Sequence, residues 1–407
     1  MIVVQKYGGS SVASTEKIAA VAKRVAARAK NAQVVVVVSA MGDTTDELIS
    51  MAKALSTIPG EREMDKLLAT GEQASSALMA IALQELGQKA VSLTGGQAGI
   101  ITERVQSKAR ILKIDGKRLK DELNKGNVVV VAGFQGITEN ASWADITTLG
   151  RGGSDTTAVA LAAALKADKC EIYTDVDGVF TADPRVVSDA VKLDTISYEE
   201  MLELAGQGAR VMHNRAVELG QIYEVDILVA NSAREVPGTI ITKEDPEMEI
   251  RNPVRGIAHD TGVTRFTVVA IPDQPGVAAK IFHAPSQANV NVDVIVQNVS
   301  TEGHADISFT VSDADYEKTK KALEPVVAEL GAKELLADQT LAKISIVGSG
   351  IRNHPGYADK MFQALAGEEI NILSIATSEI RITCLIEREK VKQAVRALHK
   401  VFELEKV

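Results

Sequence analysis

The residues with the clearest chemical potential lie in the segment 149–155, with the sequence LGRGGSD. Three glycines, a guanidinium, a hydroxyl and a carboxylate stand together, and an alanine-rich run follows at 158–167. Glycines let backbone N–H groups approach an anion closely, and a helix N-terminus adds partial positive charge. Arg151 can bind a carboxylate through two parallel hydrogen bonds. The segment predicts an anion-binding loop that opens a helix; a glycine turn with Ser154 or Asp155 as a simple N-cap is the alternative.

A second loop suited to phosphate follows the first β-branched run. Residues 2–4 predict a strand, KYGGSS occupies 6–11, and a helical pattern covers 16–29. Lys6 can place an ammonium against a transferring phosphoryl group while the N–H groups of the turn bind its oxygens. Neither a P-loop nor a Gly-x-Gly-x-x-Gly after a strand is present, so those folds are disfavoured. The alternative for Lys6 is a solvated side chain beside an ordinary turn.

The elements that must position these loops alternate between strand and helix. Continuous apolar runs at 34–38 and 128–132 are typical of strands buried on both faces of a parallel sheet, and shorter strands are predicted at 171–174 and 227–229. Helical patterns cover 44–55, 63–85, 114–124, 156–165, 197–205 and 211–222. This order predicts a three-layer α/β/α domain, in which ligands bind at the carboxyl ends of the strands.

Beyond a charged boundary near 243–262 the chain repeats itself. Pro275-Gly276 recurs as Pro355-Gly356, 80 residues on, and the flanking patterns recur with the same step. Both copies predict strand, helix, two strands and helix, in paired βαββαβ modules. The predicted domains are 1–245, 262–335 and 336–407, and a strand near 254–260 is a candidate member of the second module.

Composition limits the possible functions of the 407-residue chain. The net charge is -9, aromatic residues make up 3%, and no basic block is present, which argues against nucleic acid as a partner. The apolar runs are shorter than the roughly 20 residues that span a bilayer, so no membrane is expected. Cys170 and Cys384 form no cysteine cluster, which predicts a cytoplasmic protein without disulfides or structural zinc.

Taken together, four motifs resemble the signature set of the aspartate kinases, a family of the amino-acid kinase superfamily. They are KYGGSS at 6–11, TGE at 70–72, GRGGSD at 150–155 and YTDVDGV at 173–179. The resemblance implies transfer of the γ-phosphoryl group of ATP to the β-carboxylate of L-aspartate, the first step of lysine, threonine and methionine biosynthesis. It implies Mg²⁺ held mainly through the ATP phosphates, so no protein metal ligand is assigned.

The resemblance also implies roles for individual residues. The predicted catalytic residues are Lys6, Asp155 and Arg210. The predicted aspartate-binding residues are Ser39, Thr45, Glu72, Arg151, Gly152, Gly153 and Ser154. The predicted ATP-binding residues are Lys6, Tyr7, Gly8, Gly9, Ser10, Thr174, Asp175, Phe180, Asp183, Arg185 and Arg210. Arg210 departs from the family, which carries a lysine there. The six histidines lie outside the motif loops and are predicted to be surface or core residues.

The C-terminal repeat resembles tandem ACT domains, which bind free amino acids and regulate enzymes. Feedback by lysine, threonine or both is therefore expected. The predicted effector-binding residues are Asp273, Gly276, Val277, Ala278, Asn291, Asp293, Gln297, Asn298, Thr377, Ser378 and Glu379. The repeat also predicts a homo-oligomer, with a separately translated regulatory fragment as a conceivable partner. The alternative is a dimerisation module that binds nothing.

Two further functions are compatible with these residues. Another amino-acid kinase, such as glutamate 5-kinase or acetylglutamate kinase, would use the same loops, but these enzymes lack paired ACT-like modules. A non-enzymatic amino-acid sensor would keep the repeat without needing Lys6, Glu72, Arg151 and Asp155 together.

Overall fold

The computed structural model describes residues 1–139, 143–209, 211–243, 252–299, 303–351 and 355–407. These residues form two compact units. The first contains Met1–Val179, Lys192–Ala205 and the described residues between 210 and 249. The second contains Phe180–Val191, Gly206–Ala209 and the described residues from 252 onward.

An eight-stranded sheet and a four-stranded sheet organise the first unit. Its strands are β1 (Ile2–Tyr7), β2 (Gln33–Val38), β3 (Ala90–Leu93), β4 (Ile100–Thr102), β5 (Ile111–Ile114), β6 (Val128–Ala132), β7 (Gln135–Thr138), β8 (Ile146–Thr148), β9 (Lys169–Thr174), β10 (Thr195–Ser197), β11 (Ile227–Asn231) and β12 (Thr239–Thr242). The strand order is β10-β12-β11-β9-β1-β2-β6-β3 in the larger sheet and β5-β4-β7-β8 in the smaller one.

Helices cover both faces of the larger sheet. They are α1 (Thr15–Ala29), α2 (Thr44–Leu55), α3 (Glu61–Glu85), α4 (Lys117–Asn124), α5 (Gly153–Leu165), α6 (Tyr198–Gly206) and α7 (Asn214–Tyr223). The pairs β1–β2, β1–β9, β9–β11, β2–β6 and β3–β6 are all parallel. The predicted three-layer α/β fold is therefore confirmed.

Burial explains why the valine runs form central strands. Every residue of Val34–Val38 and Val128–Ala132 is buried, because helices pack on each face. Val34, Val36 and Val38 share a core with α1 and α3, whereas α5 contacts β1 and β9 on the opposite side. Successive residues of a strand face opposite sides. Side chains at the end of β1 consequently divide between the two layers.

The second unit contains two four-stranded antiparallel sheets. Its strands are β13 (Gly256–Asp260), β14 (Val263–Pro272), β15 (Ile295–Val299), β16 (His304–Ser312), β17 (Glu334–Asp338), β18 (Leu341–Val347), β19 (Ser374–Thr377) and β20 (Arg381–Glu387). Its helices are α8 (Val277–Gln287), α9 (Tyr316–Leu330), α10 (Tyr357–Gly367) and α11 (Val391–Val401). The orders are β15-β16-β14-β17 and β13-β18-β20-β19.

The two ACT-like sheets differ in one strand. In both, a glycine with positive φ begins the first helix, Gly276 at 95° and Gly356 at 101°. The first sheet has the predicted βαββαβ order and is completed by β17. In the second sheet no strand follows α11, so the predicted βαββαβ order is wrong there. Its fourth strand is β13, which precedes the first module and pairs with β18, so the strand predicted near 254–260 does join the second module.

Two short segments from within the N-terminal part of the chain pack into the second unit. Ala182 and Val187, from the segment 180–191, join the apolar core that Ile344 and Leu398 also form. Gln207 is buried, and its Oε1 accepts a hydrogen bond of 3.3 Å from Ser345 Oγ. The two compact units therefore do not divide at a single point of the sequence.

Some helix boundaries differ from their predictions for local reasons. The helix predicted at 211–222 begins at Asn214, because His213 is its N-cap and accepts from the Arg215 N–H. The helix predicted at 114–124 begins at Lys117, because Ile114 still belongs to a strand that pairs with β4.

Candidate active site

A buried ion pair joins the two glycine loops. Lys6 is the fifth residue of β1, and its Nζ lies 2.6 Å from Oδ1 of Asp155 in the first turn of α5. Both side chains are mostly buried, at 11% and 13% exposure. The pleat turns Lys6 towards α5, whereas the next residue, Tyr7, lies in the core beneath α1. The predicted catalytic lysine and aspartate are thus brought together.

The first glycine loop is shaped by close backbone packing. Gly8 N–H donates to Tyr173 O at 3.3 Å, so this amide already has a partner. A Cβ at Gly9 would lie 2.9 Å from Ala40 O, which explains the need for glycine. A short 3₁₀ helix begins at Gly9, so the N–H groups of Gly9 and Ser10 lack intrahelical acceptors and can donate to an anion. Tyr7 is fully buried, so only its backbone can meet a ligand.

The second glycine loop adopts a left-handed backbone. Gly150 and Gly152 have φ values of 77° and 72°. A Cβ at Gly152 would lie 2.1 Å from Cγ of His213, so this histidine packs directly against the loop. Gly153 begins α5 and Ser154 is buried behind it. Arg151 is exposed and has no ion-pair partner within the described ranges, which leaves its guanidinium available to a ligand.

Glu72 is a buried carboxylate with one unused oxygen. It lies on α3 and is 4% exposed. Its Oε1 accepts from the Ala40 N–H at 3.1 Å, while Oε2 has no hydrogen-bond partner among the residues that the structure describes. Burial raises the pKa of Glu72 to about 7, although the hydrogen bond from Ala40 opposes the shift. A carboxylate left in this state is suited to a cationic ligand group.

Ser39 and Thr45 flank the turn after β2. Ser39 N–H donates to Tyr7 O, and Ser39 O accepts from Ser75 Oγ at 2.7 Å. This second bond connects the turn to α3, which carries Glu72. Thr45 is the second residue of α2 and is partly buried. The turn that they flank therefore lies beside the first glycine loop, where Gly42 N–H donates to Gly9 O at 3.1 Å.

The predicted nucleotide residues fall into both compact units. Thr174 ends β9, and its Oγ1 donates to Asp175 Oδ1 at 3.0 Å. Phe180, Asp183 and Arg185 belong to the second unit. There Arg185 pairs with Asp183 at 2.8 Å, and this contact lowers the pKa of Asp183.

The remaining catalytic prediction, Arg210, lies outside the described residues.

The predicted effector residues lie mainly on the surface of the second unit. Those that are exposed are Asp273, Gly276, Asn291, Gln297, Asn298, Thr377, Ser378 and Glu379. Val277 is buried in the core of the first ACT-like module, and Ala278 packs against that core. Asp293 is 41% exposed, and its Oδ2 lies 2.5 Å from Nζ of the buried Lys343. An effector ammonium would have to share Asp293 with this lysine or displace it.

Several positioning residues were missed in the sequence. Asp65 is fully buried and accepts hydrogen bonds from Ser107 N, Thr148 N and Thr148 Oγ1, at 2.6–3.1 Å. It thereby ties α3 to the strand that leads into the second glycine loop. His213 was predicted to be an ordinary surface or core residue, yet it packs against Gly152. Asp65 lies seven residues before Glu72 on the same helix face, and this spacing was the available signal.

The described residues contain neither a metal-binding cluster nor a membrane-spanning helix. No group of three or more His, Cys, Asp and Glu side chains in those ranges could hold a metal ion. No helix there is both long and apolar enough to cross a membrane.

Family models match both parts of the chain. Residues 1–231 match the amino acid kinase family. Residues 267–325 and 344–402 each match the ACT domain. The fold and the two glycine loops thus define a kinase with paired ACT domains, and the chain belongs to the amino acid kinase family.

Similarity to individual proteins extends over the full length. An aspartate kinase of Stutzerimonas stutzeri is 50% identical over 405 residues, covering 99% of this chain and 98% of the relative. Aspartokinase 2 of Bacillus subtilis is 51% identical over 406 residues, covering 100% and 98%. Within its family the chain therefore belongs to the aspartate kinases, which confirms the prediction from the four motifs.

Solved structures give the same result. Aspartokinase III of E. coli in complex with aspartate and ADP, in the R-state, has a TM-score of 0.83 at 25% identity, covering 98% of this chain and 99% of that one. The same enzyme in complex with lysine and aspartate, in the T-state, has a TM-score of 0.76 at 25% identity with equal coverage.

Proposed function

We propose that this aspartate kinase transfers the γ-phosphoryl group of ATP to the β-carboxylate of L-aspartate and forms 4-phospho-L-aspartate. The main support for this proposal is the buried Lys6–Asp155 pair, which places an ammonium between two loops that can bind anions. Phosphoryl transfer proceeds through a loose transition state, so it depends on positioning and positive charge. An aspartate carboxylate is ionised at pH 7, so the reaction needs no general base.

The other predicted site residues would then have defined roles. Lys6 stabilises the charge on the transferring group, and Asp155 orients Lys6. Arg151 binds the α-carboxylate of aspartate and Glu72 binds its ammonium. The unused Oε2 of Glu72 supports this last role, because a buried carboxylate gains most from a cationic partner. Arg210 would add positive charge at the phosphates.

ATP and Mg²⁺ are the proposed cofactors. The ADP complex of the E. coli enzyme supports ATP. Mg²⁺ prefers oxygen ligands and is usually held largely by substrate phosphates. Asp175 lies in the loop assigned to ATP and Asp155 is assigned to catalysis, so carboxylate oxygens of the kind that the ion prefers are present among the predicted site residues. The ion would neutralise the β- and γ-oxygens.

The second unit is proposed to regulate and to assemble the enzyme. The lysine complex of the E. coli relative supports lysine as an effector, and threonine is the other candidate. Edge strands β15 and β19 expose Ile295 and Ile375, which are 80 residues apart, and such edges favour pairing with another copy. Association with a separately translated fragment stays a prediction. The two buried cysteines fit a cytoplasmic location.

Trapping of the acyl phosphate with hydroxylamine tests the reaction directly. Purified protein should form the hydroxamate with Mg-ATP and L-aspartate, but not with L-glutamate or N-acetylglutamate. The paired ACT domains favour aspartate over those substrates. A protein that binds amino acids without consuming ATP would instead be a sensor and would refute the proposal.

A further inference from the structure

One buried amide holds the loop that follows β9. Asn231 ends β11 and is 4% exposed. Its Nδ2 donates to Asp175 O at 3.2 Å and to Asp177 Oδ1 at 2.8 Å. Its Oδ1 accepts from Ala233 N at 2.8 Å and from Arg234 N at 3.0 Å. One side chain therefore joins two loops that are more than fifty residues apart in sequence.

This amide has no hydrogen-bonding capacity left over. A carboxamide has two N–H donors and an oxygen with two lone pairs, and all four positions are used. The partners also determine which end is nitrogen, because a carbonyl and a carboxylate lie on one side and two N–H groups lie on the other. No other side chain of this size supplies both two N–H donors and an oxygen that accepts two hydrogen bonds. An aspartate at this position would face the Asp177 carboxylate with a like charge.

The two aspartates of the loop are held differently. Asp177 uses both carboxylate oxygens within the protein, since Oδ1 accepts from Asn231 and Oδ2 lies 2.8 Å from Arg234 Nη2. Asp175 accepts through Oδ1 from its neighbour Thr174. Asp177 therefore stabilises the shape of the loop. Asp175 Oδ2 has no hydrogen-bond or ion-pair partner within the described part of the chain and is available to a ligand.

The same segment is fastened to the first glycine loop. Ser232 N donates to Thr174 O at 2.8 Å, and Ser11 Oγ donates to Ser232 Oγ at 2.8 Å. Arg24 Nη1 donates to Asn231 O at 2.9 Å and to Ser232 O at 3.2 Å. Movement of the segment would thus disturb both loops assigned to ATP.

We propose that Asn231 is a positioning residue for the nucleotide. It holds the loop at 174–177 in its binding shape through Asp175 and Asp177, without touching the reacting atoms. This inference rests on the proposed function, because it takes that loop as part of the ATP site. Aspartate binds through Glu72 and Arg151 on other elements, so the effect of Asn231 should be confined to ATP.

The test is Asn231→Asp, compared with a matched change elsewhere in the same unit. We expect the KM for ATP to rise about tenfold, because the hydrogen bond to the charged Asp177 carboxylate is lost, while the KM for aspartate changes less than about twofold. Asn127→Asp is the control, since Asn127 Nδ2 likewise donates to a carboxylate, Glu122 Oε2, at 2.7 Å. Its KM values should remain those of the wild type. A lowered Tm with both KM values unchanged would show a merely structural role and overturn the proposal.

A second variant covers the case in which Asn231→Asp does not fold. Asp177→Ala removes an acceptor in a partly exposed loop and should raise the KM for ATP in the same direction. If both act through one contact, the double variant should fall short of the product of the single effects. An unchanged KM for ATP in Asp177→Ala, or fully multiplicative effects, would contradict the inference.

Direct ADP binding separates this inference from the proposed reaction. Calorimetric titration should show weaker ADP binding by Asn231→Asp than by wild type. Wild type that binds ADP but does not phosphorylate aspartate would refute the reaction alone. Wild type and Asn231→Asp that bind ADP equally would refute the positioning role alone.

Discussion

The candidate kinase site and the proposed effector region contain similar residue types at different depths. In the candidate kinase site Lys6 and Glu72 are buried, with whole-residue exposures of 9% and 4%. In the effector region the polar candidates are mostly exposed, and Asp293, which is partly buried, is already paired with Lys343. A buried charge is expensive unless a partner or a ligand compensates it, whereas an exposed one is screened by water. The buried charges of the candidate kinase site can therefore interact strongly with a ligand, whereas the exposed polar groups of the proposed effector region can interact with one only more weakly.

The largest effect should come from Lys6. Lys6→Met removes the buried ammonium and should lower kcat about 10³-fold, because charge stabilisation specific to the transition state is lost. Steady-state kinetics with saturating ATP and aspartate provide the measurement, with Tm as a check on folding. Lys23→Met, which changes an exposed lysine of α1, is the control and should leave kcat unaltered. Equal activity of the two variants would remove Lys6 from catalysis.

Loss of Arg151 should act mainly on aspartate affinity. Arg151→Ala should raise the KM for aspartate about 10- to 100-fold, because hydrogen bonds to a charged group are worth about 1.5–3 kcal/mol. The KM for ATP should change little. Arg104→Ala, at another exposed position of the same unit, should behave as wild type. If the KM for ATP rises instead, the guanidinium belongs to the nucleotide site.

The pH dependence of aspartate binding should reflect Glu72. Its pKa of about 7 means that falling pH protonates the carboxylate and removes the charge that attracts the substrate ammonium. The KM for aspartate should therefore rise as pH falls from 8 to 6, approaching about tenfold per pH unit below the pKa. Glu72→Gln should have a high KM with a flat profile, whereas Glu63→Gln, an exposed change on the same helix, should keep the wild-type profile. A flat wild-type profile would contradict the assignment.

The smallest effect should come from the effector region. Asp293→Ala should keep kcat and weaken inhibition by lysine or threonine about 5- to 10-fold, within the usual range of allosteric coupling. Inhibition curves for each amino acid provide the measurement. Asp338→Ala is the matched control for Asp293→Ala, because Asp338 is also an aspartate with a cationic partner. Its Oδ2 lies 3.5 Å from Arg265 Nη2 in the first ACT-like sheet. Equal loss of inhibition in both variants would indicate general damage to the module, and absence of inhibition in wild type would refute the sensing role.

The predicted fold agrees with the structure wherever local patterns are strong. The valine runs that form most of β2 and β6 are apolar at every residue. This pattern is expected only of strands that are covered on both faces. The 80-residue repeat likewise predicted two similar modules. The repeat alone did not predict that the second sheet takes its fourth strand from β13, because a pairing partner outside the repeat leaves no periodic signal. The strand pattern near 254–260 was the signal that indicated it.

The candidate site was predictable in its charged and glycine residues but not in its supporting ones. Lys6, Glu72, Arg151 and Asp155 stand in recognisable motifs. His213 and Asn231 do not stand in such motifs, because their contacts are with backbone segments that come close only after folding. Asp177 illustrates the limit: its Asp-Gly turn was visible in the sequence, but its two protein partners were not.

The sequence by itself determined the central buried strands, most of the helices, the two glycine loops, the duplicated C-terminal module and the family. These features are local, since hydrophobic period, glycine content and motif spacing act within a few residues. Only the tertiary structure decided that Lys6 meets Asp155, that one oxygen of Glu72 is left without a partner, and that Asn231 joins two loops. Such contacts depend on elements distant in the chain packing together, and burial then determines how strongly each charge acts.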